Sequence, residues 1–209
     1  FTINTERLKP WHTLSGRMHF FLDHDWMIDA GEQLPTFRPP LDMSRAFGEP
    51  ELGPTGEKAI TLRYLTVHNK WSIHSEYQDN LYMLSLSRGG PSLWMSPADA
   101  AKIGVADNDW VESYNRNGVV VARAVVSHRM PEGTVFMYHA TQRTVDVPRS
   151  ETTGNRGGIH NALTRVLMKP SHLVGGYAQH AYAFNYVGPT GNQRDEVTVV
   201  RRRSQEVQY

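Results

Sequence analysis

The sequence has 209 residues, a formal net charge of +1, ten histidines and no cysteine. This length suits one domain, or one domain with an extension, and 39% hydrophobic residues suffice for a core. The balanced charge gives no reason to expect nucleic acid as a partner, and no apolar run approaches the ~20 residues that cross a bilayer. Without cysteine, this chain alone can form no disulfide, thiolate nucleophile or iron–sulfur ligand set.

Residues 1–57 are predicted to be an arm that connects to a preceding domain, and residues 58–209 to be a barrel domain. Residues 17–22 could form one strand of the arm. After that point prolines and glycines are too frequent for regular structure. The first residue is Phe1 rather than Met, which suggests that the chain is a fragment of a longer polypeptide.

Strands and turns follow each other from residue 59 onwards. Residues 59–65 are rich in β-formers and predict a strand. Residues 81–86 are a second apolar run, which ends at an Arg-Gly-Gly-Pro turn. Ser96 is predicted to cap a short helix that has Pro97 at its first position and Asp99 in a capping box, and that stops at Gly104.

Three further strands are predicted at residues 110–114, 119–127 and 134–138, and a last one at residues 196–202. The pair Asn117-Gly118 is a signal for a two-residue hairpin turn between the first two. Closely spaced strands with a single short helix favour a closed β-barrel over a doubly wound sheet. The arginine run at residues 201–203 is interpreted as a solvated end.

Four histidines lie beside loop signals rather than inside apolar runs: His68, His74, His139 and His160. The first two are six residues apart, which fits neither a zinc-binding helix nor a zinc finger. Because strand ends of a barrel can bring distant side chains to one mouth, the four could form a site. The alternative is that each is a surface or structurally hydrogen-bonded histidine.

Two Arg-Gly-Gly turns, at residues 88–90 and 156–158, pair a cation with accessible backbone amides, as phosphate-binding turns do. Glycine-rich turns are also common in β proteins without a ligand. Trp71 could cover a ring or fill the core, Ser72 and Ser75 could add hydroxyl donors, and capping suffices to explain Asp99. Dinucleotide, P-loop, nucleophile-elbow and zinc-protease motifs are missing from the sequence.

Several segments resemble the C-terminal part of respiratory nitrate reductase α subunits. They are Leu-Thr-Val-His-Asn-Lys-Trp-Ser-Ile-His-Ser from residue 65, Leu-Ser-Arg-Gly-Gly-Pro from 86, Met-Tyr-His-Ala from 137, Arg-Gly-Gly-Ile-His-Asn from 156 and Gly-Gly-Tyr-Ala from 175. The Ser-Pro-Ala-Asp-Ala segment from residue 96 is shared more widely in the dimethyl sulfoxide reductase superfamily. The likeness runs in order from about residue 16 to residue 202.

The resemblance implies a mainly β fold, a six-stranded double-psi β-barrel with short helices. It also implies a molybdenum bis(molybdopterin guanine dinucleotide) cofactor, over which this domain closes. His68 and His74 would face one pterin, and His139 and His160 the other. Residues 71–75 would wrap phosphate and nucleotide. The full set of implied cofactor-binding residues is His68, Trp71, Ser72, Ile73, His74, Ser75, Arg88, Asp99, His139, His160, Asn185 and Arg194.

The implied reaction of the parent enzyme is quinol-linked reduction of nitrate to nitrite, with no catalytic or metal-ligating residue in this chain. Its iron–sulfur cluster would be held by other parts of the parent. The partners would be the earlier domains, an iron–sulfur β subunit and a quinol-oxidising γ subunit in the membrane. The complex would lie at the cytoplasmic face of the bacterial plasma membrane. By itself the fragment is expected to be inactive and to hold no cofactor.

Two other classes of function stay open at this point. The first is a free-standing double-psi barrel that binds a nucleotide or a protein, which would need neither four loop histidines nor a long arm. The second is a metal-dependent hydrolase that uses the histidines as ligands. Zinc content per chain would separate the hydrolase from a pterin-binding domain.

Overall fold

The computed structural model describes residues 6–12, 16–18, 20, 21, 23, 25–30, 33, 34, 52, 55–139, 141, 145, 147, 148, 158–164, 168–170, 177–179 and 196–208. Six strands in this part close into a barrel: β1 (Ala59–Val67), β2 (Ser92–Met95), β3 (Trp110–Asn115), β4 (Gly118–Val126), β5 (Thr134–Tyr138) and β8 (Glu196–Arg202). A separate pair is formed by β6 (Met168–Pro170) and β7 (Tyr177–Gln179). The short helices are α1 (Asp25–Ala30), α2 (Leu81–Leu86), α3 (Pro97–Lys102) and a 3₁₀ turn, His160–Ala162.

The strand order around the barrel is β1-β5-β2-β4-β3-β8. Two neighbouring pairs are parallel, β1 with β5 and β2 with β4, and the others are antiparallel. The expected closed six-stranded, mainly β barrel is therefore confirmed. The barrel lies in a compact unit made of residues 40–165 and 194–209, while residues 1–39 and 166–193 form a second unit. The division into an arm over 1–57 and a barrel domain over 58–209 stays a prediction.

Alternate residues of each barrel strand point inwards and fill the core, as the two-residue period of a strand requires. Leu163, directly after the 3₁₀ turn, belongs to this core, and the α3 region adds Ala100 and Ile103. The strand residues that share the core are Leu62, Tyr64, Leu93, Met95, Val111, Val120, Ala122, Ala124, Val135, Met137 and Val200.

The helix predicted after Ser96 is confirmed in its details. The Ser96 side chain accepts a hydrogen bond from the Asp99 backbone, Pro97 begins the helix, and Gly104 has φ +65°. The Asp99 carboxylate, only 1% exposed, accepts hydrogen bonds from the Ser96 hydroxyl (2.8 Å), Lys102 Nζ (2.9 Å) and the Gly133 backbone (2.8 Å). Asp99 thus ties the helix to the residue that precedes β5.

Two local predictions differ from the structure, and two elements had not been assigned from the sequence. The described members of residues 17–22 form no strand. The apolar run at residues 81–86 is helix α2, and β2, which the sequence did not indicate, supplies the sixth strand. The β3–β4 register pairs Asn115 with Gly118, so the turn residues are 116 and 117 rather than 117 and 118.

The interpretation of residues 201–203 as a solvated end was wrong for Arg201 and Arg203, whereas Arg202 is exposed. Arg201 Nε lies 2.8 Å and Arg203 Nη1 3.4 Å from the Glu112 carboxylate, and all three side chains are buried. β3 pairs with β8 so that Glu112 lies opposite Arg201. Burying a charge is costly unless an opposite charge lies beside it. The buried Glu112 carboxylate is therefore paired with both arginines.

Gly118 is required by a close approach of two backbone segments. A Cβ at residue 118 would lie 2.7 Å from the carbonyl oxygen of Ala162. We expect Gly118→Ala to lower the free energy of unfolding by roughly 1–3 kcal/mol, because the 3₁₀ turn must shift. Thermal unfolding of the chain tests this. Gly90→Ala is the matched control, since nothing lies within 4 Å of its Cβ position, and an equal loss in both variants would contradict the explanation.

Asp99 makes the stability of the chain depend on pH. Burial alone would raise the pKa of Asp99, but hydrogen bonds from Lys102, Gly133 and Ser96 and the charge of Lys102 outweigh it, so the pKa lies below its ordinary value. A depressed pKa stabilises the fold above the unfolded-state pKa of about 4, and the stabilisation is lost as pH falls through the folded-state pKa.

We therefore expect Asp99→Asn to be less stable than the unmodified chain at neutral pH, with the difference shrinking below about pH 4. Urea unfolding over a series of pH values measures it. Asp79→Asn, at an exposed loop residue, is the control. A difference that stayed constant down to the lowest pH would mean that the Asp99 carboxylate is not the responsible group.

Candidate functional site

Two of the four candidate histidines come together because of the parallel pairing of β1 with β5. The register places Val67 beside Tyr138, so the next residues, His68 and His139, leave the barrel side by side. The His139 backbone donates a hydrogen bond to the Val67 carbonyl at 3.0 Å, which continues the pairing by one residue. Their ring centroids are 4.4 Å apart and nearly perpendicular, at 89°.

The other two imidazoles also contact His139. The His74 ring centroid lies 5.2 Å and the His160 ring centroid 5.7 Å from that of His139, and His74 is 6.0 Å from His68. We call these four residues the histidine cluster. Exposure falls across it: His68 and His74 are exposed, His139 is half-buried and His160 is 6% exposed. The cluster thus has a closed end at His160 and an open end at the two exposed rings.

His74 is carried by a tight turn in the loop after β1. Its backbone has φ +51°, and the Glu76 backbone donates to the Ile73 carbonyl at 2.9 Å. Asn69 Oδ1 accepts from the Trp71 backbone at 2.9 Å and so shapes the start of the loop. A histidine in the left-handed region is uncommon, and such strain tends to occur at functional sites.

His160 is positioned by contacts that the sequence did not reveal. The Tyr64 hydroxyl, inside the barrel, donates to the His160 carbonyl at 3.1 Å, and burial raises the pKa of this phenol, so it stays protonated. Asn115 and Asn117 both donate to the Leu163 carbonyl, at 2.8 and 3.0 Å. Only Asn117 was noted from the sequence, as part of a turn signal, although both asparagines hold the 3₁₀ turn against the barrel.

Gly158, the last glycine of the second Arg-Gly-Gly turn, fixes the approach to His160. It has φ +78°, and an added Cβ would lie 2.7 Å from the Val119 carbonyl oxygen and 2.8 Å from a methyl group of Val147. Only glycine suits both the conformation and the space. Arg156 and Gly157 of the same turn lie outside the described residues.

A cavity of about 150 Å³ lies in the same compact unit as the histidine cluster. Trp71, Tyr77 and Tyr138 give it aromatic walls, and Ser72 and Thr141 add hydroxyl groups. Thr141 Oγ1 is buried without a hydrogen-bond partner among the described residues. The predicted residues Trp71 and Ser72 therefore border a pocket that combines ring-stacking surfaces with polar groups, while Ile73 and Ser75 are exposed on its loop.

Two predicted residues are engaged elsewhere. Arg88 Nη1 contacts both carboxylate oxygens of Asp107, at 2.9 and 3.0 Å. Asp99 is bonded to Gly133, before the start of β5, whereas His139 follows the end of that strand. Those two points are roughly 20 Å apart at the usual rise of a strand. Asn185 and Arg194 lie outside the described residues.

Two other kinds of site are absent from the described part of the chain. No helix there is long and apolar enough to cross a membrane. No group of three or more His, Asp or Glu side chains in this part has a geometry that could hold a metal ion. Each imidazole, when neutral, has one hydrogen-bond donor and one acceptor nitrogen.

Comparisons with known proteins identify relatives of far greater length. The chain is 73% identical to the nitrate reductase alpha subunit of Mycobacterium tuberculosis over 210 residues, covering 100% of this chain and 17% of that protein. It is 54% identical to the respiratory nitrate reductase 1 alpha chain of Escherichia coli, covering 95% of this chain and 16% of that protein. The chain thus spans about a sixth of the length of these relatives.

A solved structure and a family profile give the remaining findings. Acetylene hydratase from Pelobacter acetylenicus matches with a TM-score of 0.55 and 14% identity, covering 93% of this chain and 24% of that one, which shows a shared fold. The profile of the family described as Molydopterin dinucleotide binding domain matches residues 62–181. This range is more than half of the chain and contains the whole histidine cluster. The chain therefore belongs to the family of molydopterin dinucleotide binding domains.

Proposed function

We propose that this chain is the part of a respiratory nitrate reductase α subunit that closes over a molybdenum bis(molybdopterin guanine dinucleotide) cofactor. The observation that carries the proposal is the convergence of four imidazoles from three separate segments at one end of a barrel. The 73% identity to a protein named nitrate reductase alpha subunit supports the same conclusion. In this proposal the chain belongs to a longer polypeptide, with residues 1–57 connecting to its preceding domain.

The chemistry of the site fits a pterin. A pterin is a flat heterocycle with ring nitrogens that both donate and accept hydrogen bonds, and each neutral imidazole offers one group of each kind. Because His68 and His74 are exposed, a ligand can reach the open end of the cluster without displacing core residues. His139 contacts the other three rings, so it is the residue best placed to couple them.

The aromatic cavity fits the nucleotide part of the cofactor. Trp71 and Tyr138 can stack on a base, and Ser72 with the buried Thr141 hydroxyl can bond polar edges. Ile73 and Ser75, together with Asn185 and Arg194, complete the proposed contact set. Arg88 and Asp99 are its weakest members, because each already has partners within the chain.

When bound, the molybdenum centre supplies the oxygen-atom transfer that converts nitrate to nitrite. The histidines of this chain hold and orient the organic part and fix which of its nitrogens carry protons. Hydrogen bonds of this kind tune a metal centre through its ligands. The Tyr64 hydroxyl and the two asparagines keep the 3₁₀ turn, and with it His160, in one position.

The proposal extends to the assembly. The relatives named alpha chain of a respiratory nitrate reductase support a complex of several subunits. In the proposal, earlier domains of the α polypeptide, an iron–sulfur β subunit and a membrane-bound, quinol-oxidising γ subunit deliver the electrons. This chain would lie on the cytoplasmic face of the bacterial plasma membrane as a peripheral part.

The geometry disfavours the metal-dependent hydrolase among the alternatives, since the described imidazoles form no metal-ligand group.

Substituting His139 in the full-length enzyme tests the site. We expect His139→Gln to lower both the cofactor content of the purified enzyme and nitrate reduction by roughly 10-fold or more, the usual effect of removing a group that orients a metal ligand. Molybdenum analysis and nitrite formation measure the two effects. His128→Gln, at an exposed histidine between β4 and β5, is the matched control. Full cofactor content and activity in the His139 variant would refute the assignment.

The chain by itself is expected to form no nitrite from nitrate with a reduced viologen as electron donor. The proposed residues hold the cofactor but include neither a molybdenum ligand nor an electron-transfer centre. Nitrite assay of the purified chain measures this, with the full-length enzyme as positive control. Sustained turnover by the chain alone would overturn the division of roles.

A further inference from the structure

One wall of the aromatic cavity belongs to the chain between helix α2 and strand β2. We call residues 87–91 the wall turn. The cavity is lined on this side by Met83, Leu84, Ser87, Gly89, Gly90 and Pro91. Arg88, in the middle of this stretch, contacts Asp107 instead, and its Nη1 lies 2.9 and 3.0 Å from the two carboxylate oxygens. The wall turn thus forms cavity surface, while its charged side chain reaches a different loop.

The wall turn begins with an unusual helix end. The Arg88 backbone donates to the Ser85 carbonyl at 3.4 Å, and the Gly89 backbone donates to the Leu84 carbonyl at 2.6 Å. Helices that end with this pair of bonds usually have glycine at the position that Arg88 occupies, because the backbone there is left-handed. Arg88 has φ +62°. A residue with a side chain keeps this conformation only where its surroundings fix it.

Asp107 lies on a loop that is itself anchored to the barrel. The Asn108 backbone donates to the Ala124 carbonyl at 2.8 Å, and the Ala124 backbone donates to the Asp109 carbonyl at 2.8 Å. Asp107 Oδ1 also accepts a hydrogen bond from the Val126 backbone at 2.8 Å. The carboxylate that meets Arg88 is therefore fixed to strand β4.

The pair of Arg88 and Asp107 is ionic and half exposed. Burial alone would raise the pKa of Asp107, but hydrogen bonds from Val126 and Arg88 and the charge of Arg88 outweigh it, so the pKa lies below its ordinary value. The two side chains are 43% and 48% exposed. Such a pair contributes little to the stability of a whole fold. A small contribution is nevertheless enough to select one conformation of a short turn.

We propose that Asp107 is a positioning residue of the cofactor site. Its ion pair holds Arg88 in the left-handed conformation, and the adjoining residues of the wall turn then form the cavity surface. This rests on the proposed function, in which the cavity receives the nucleotide part of the cofactor. Arg88 acts through its backbone and its contact with Asp107 rather than by touching the ligand.

The position of Asp107 explains why the wall turn needs this contact. Before the turn, Asn80 Oδ1 caps helix α2 by accepting from the Tyr82 and Met83 backbones, at 3.0 and 3.2 Å. After the helix, the Arg123 backbone on β4 donates to the Pro91 carbonyl at 3.0 Å. Asp107 holds the middle of the turn, between these two anchors. Loss of its charge should therefore loosen the turn locally and leave the barrel intact.

Hydrogen exchange in the full-length polypeptide tests the positioning. Asp107→Asn keeps an acceptor for the Val126 backbone but removes the charge that holds Arg88. Exchange of the Arg88 and Gly89 amides should become roughly fivefold faster, the factor that corresponds to the strongest exposed ion pairs. Mass spectrometry of the peptide that covers residues 84–92 measures it. Unchanged exchange there would overturn the proposal.

Glu132→Gln is the matched control, because it removes the acid of another exposed ion pair, with Lys102 at 3.5 Å. Exchange in residues 84–92 should not change in this variant. An equal rise in both variants would mean that the chain loosens as a whole, and it would equally overturn the role of Asp107.

Molybdenum content of the purified full-length enzyme gives the second readout. Asp107→Asn should lower it by up to roughly fivefold, because a smaller fraction of the molecules then has a formed cavity wall. Adding Arg88→Gly to this variant should restore both the molybdenum content and the slow exchange, since glycine adopts the left-handed conformation without a partner. If Arg88 touched the ligand, the double variant would hold even less molybdenum than Asp107→Asn. That result, or full molybdenum content in Asp107→Asn, overturns the proposal.

The two readouts also separate this proposal from the proposed function. An unmodified full-length enzyme that carried no molybdenum would refute the proposed function. Hydrogen exchange needs no bound cofactor, so the rates in residues 84–92 would still decide whether Asp107 positions the wall turn.

Discussion

The site depends on one pairing, the parallel alignment of β1 with β5. Parallel neighbours end at the same edge of a sheet, so residues far apart in sequence leave the barrel at one point. The register from Arg63 beside Thr134 to Val67 beside Tyr138 delivers His68 and His139 as adjacent residues, 71 positions apart in the chain. An antiparallel pairing would have sent them to opposite ends. The remaining two imidazoles are then added by loops packed on this edge, one by a strained turn and one by a 3₁₀ turn bound to the barrel.

Support for the buried end of the cluster comes from backbone packing more than from side-chain chemistry. Two glycines, 118 and 158, allow the 3₁₀ segment to lie directly on β4, and a phenol from inside the barrel bonds its carbonyl group. The open end has the opposite character, since the loop carrying His74 is exposed and shaped by short local hydrogen bonds. A buried base with an exposed rim suits a ligand that enters the cluster from one side.

Local sequence signals predicted that the domain is a barrel, but they did not predict all of its strands. Alternating β-formers identified five of the strands, and the cap, proline and glycine around residues 96–104 identified α3, because these depend on neighbours in sequence. β2 was not predicted because it has only four residues. The segment that forms α2 was ambiguous because an apolar run of six residues fits a helix or a strand. The four histidines could be predicted as site candidates because they lie beside loops. Their roles could be predicted only from the family resemblance. The sequence could not predict that the histidines converge, that Tyr64 supports His160, or that Arg201 and Arg203 are buried. These features depend on contacts across the barrel, which the spacing of residues along the chain does not reveal.

The ion cluster on β3 and β8 has a consequence for how the sequence can change over time. Arg203 bonds the carbonyl groups of Gln205 and Glu206 as well as the Glu112 carboxylate. Loss of Glu112 alone would leave two enclosed guanidinium groups facing each other, and loss of either arginine would leave the acid with a weaker counter-charge. Replacement of one member alone is therefore costly, and joint replacement by well-packed apolar residues is better tolerated. These positions should change as a set, with intermediate sequences selected against, even though none of them belongs to the histidine cluster.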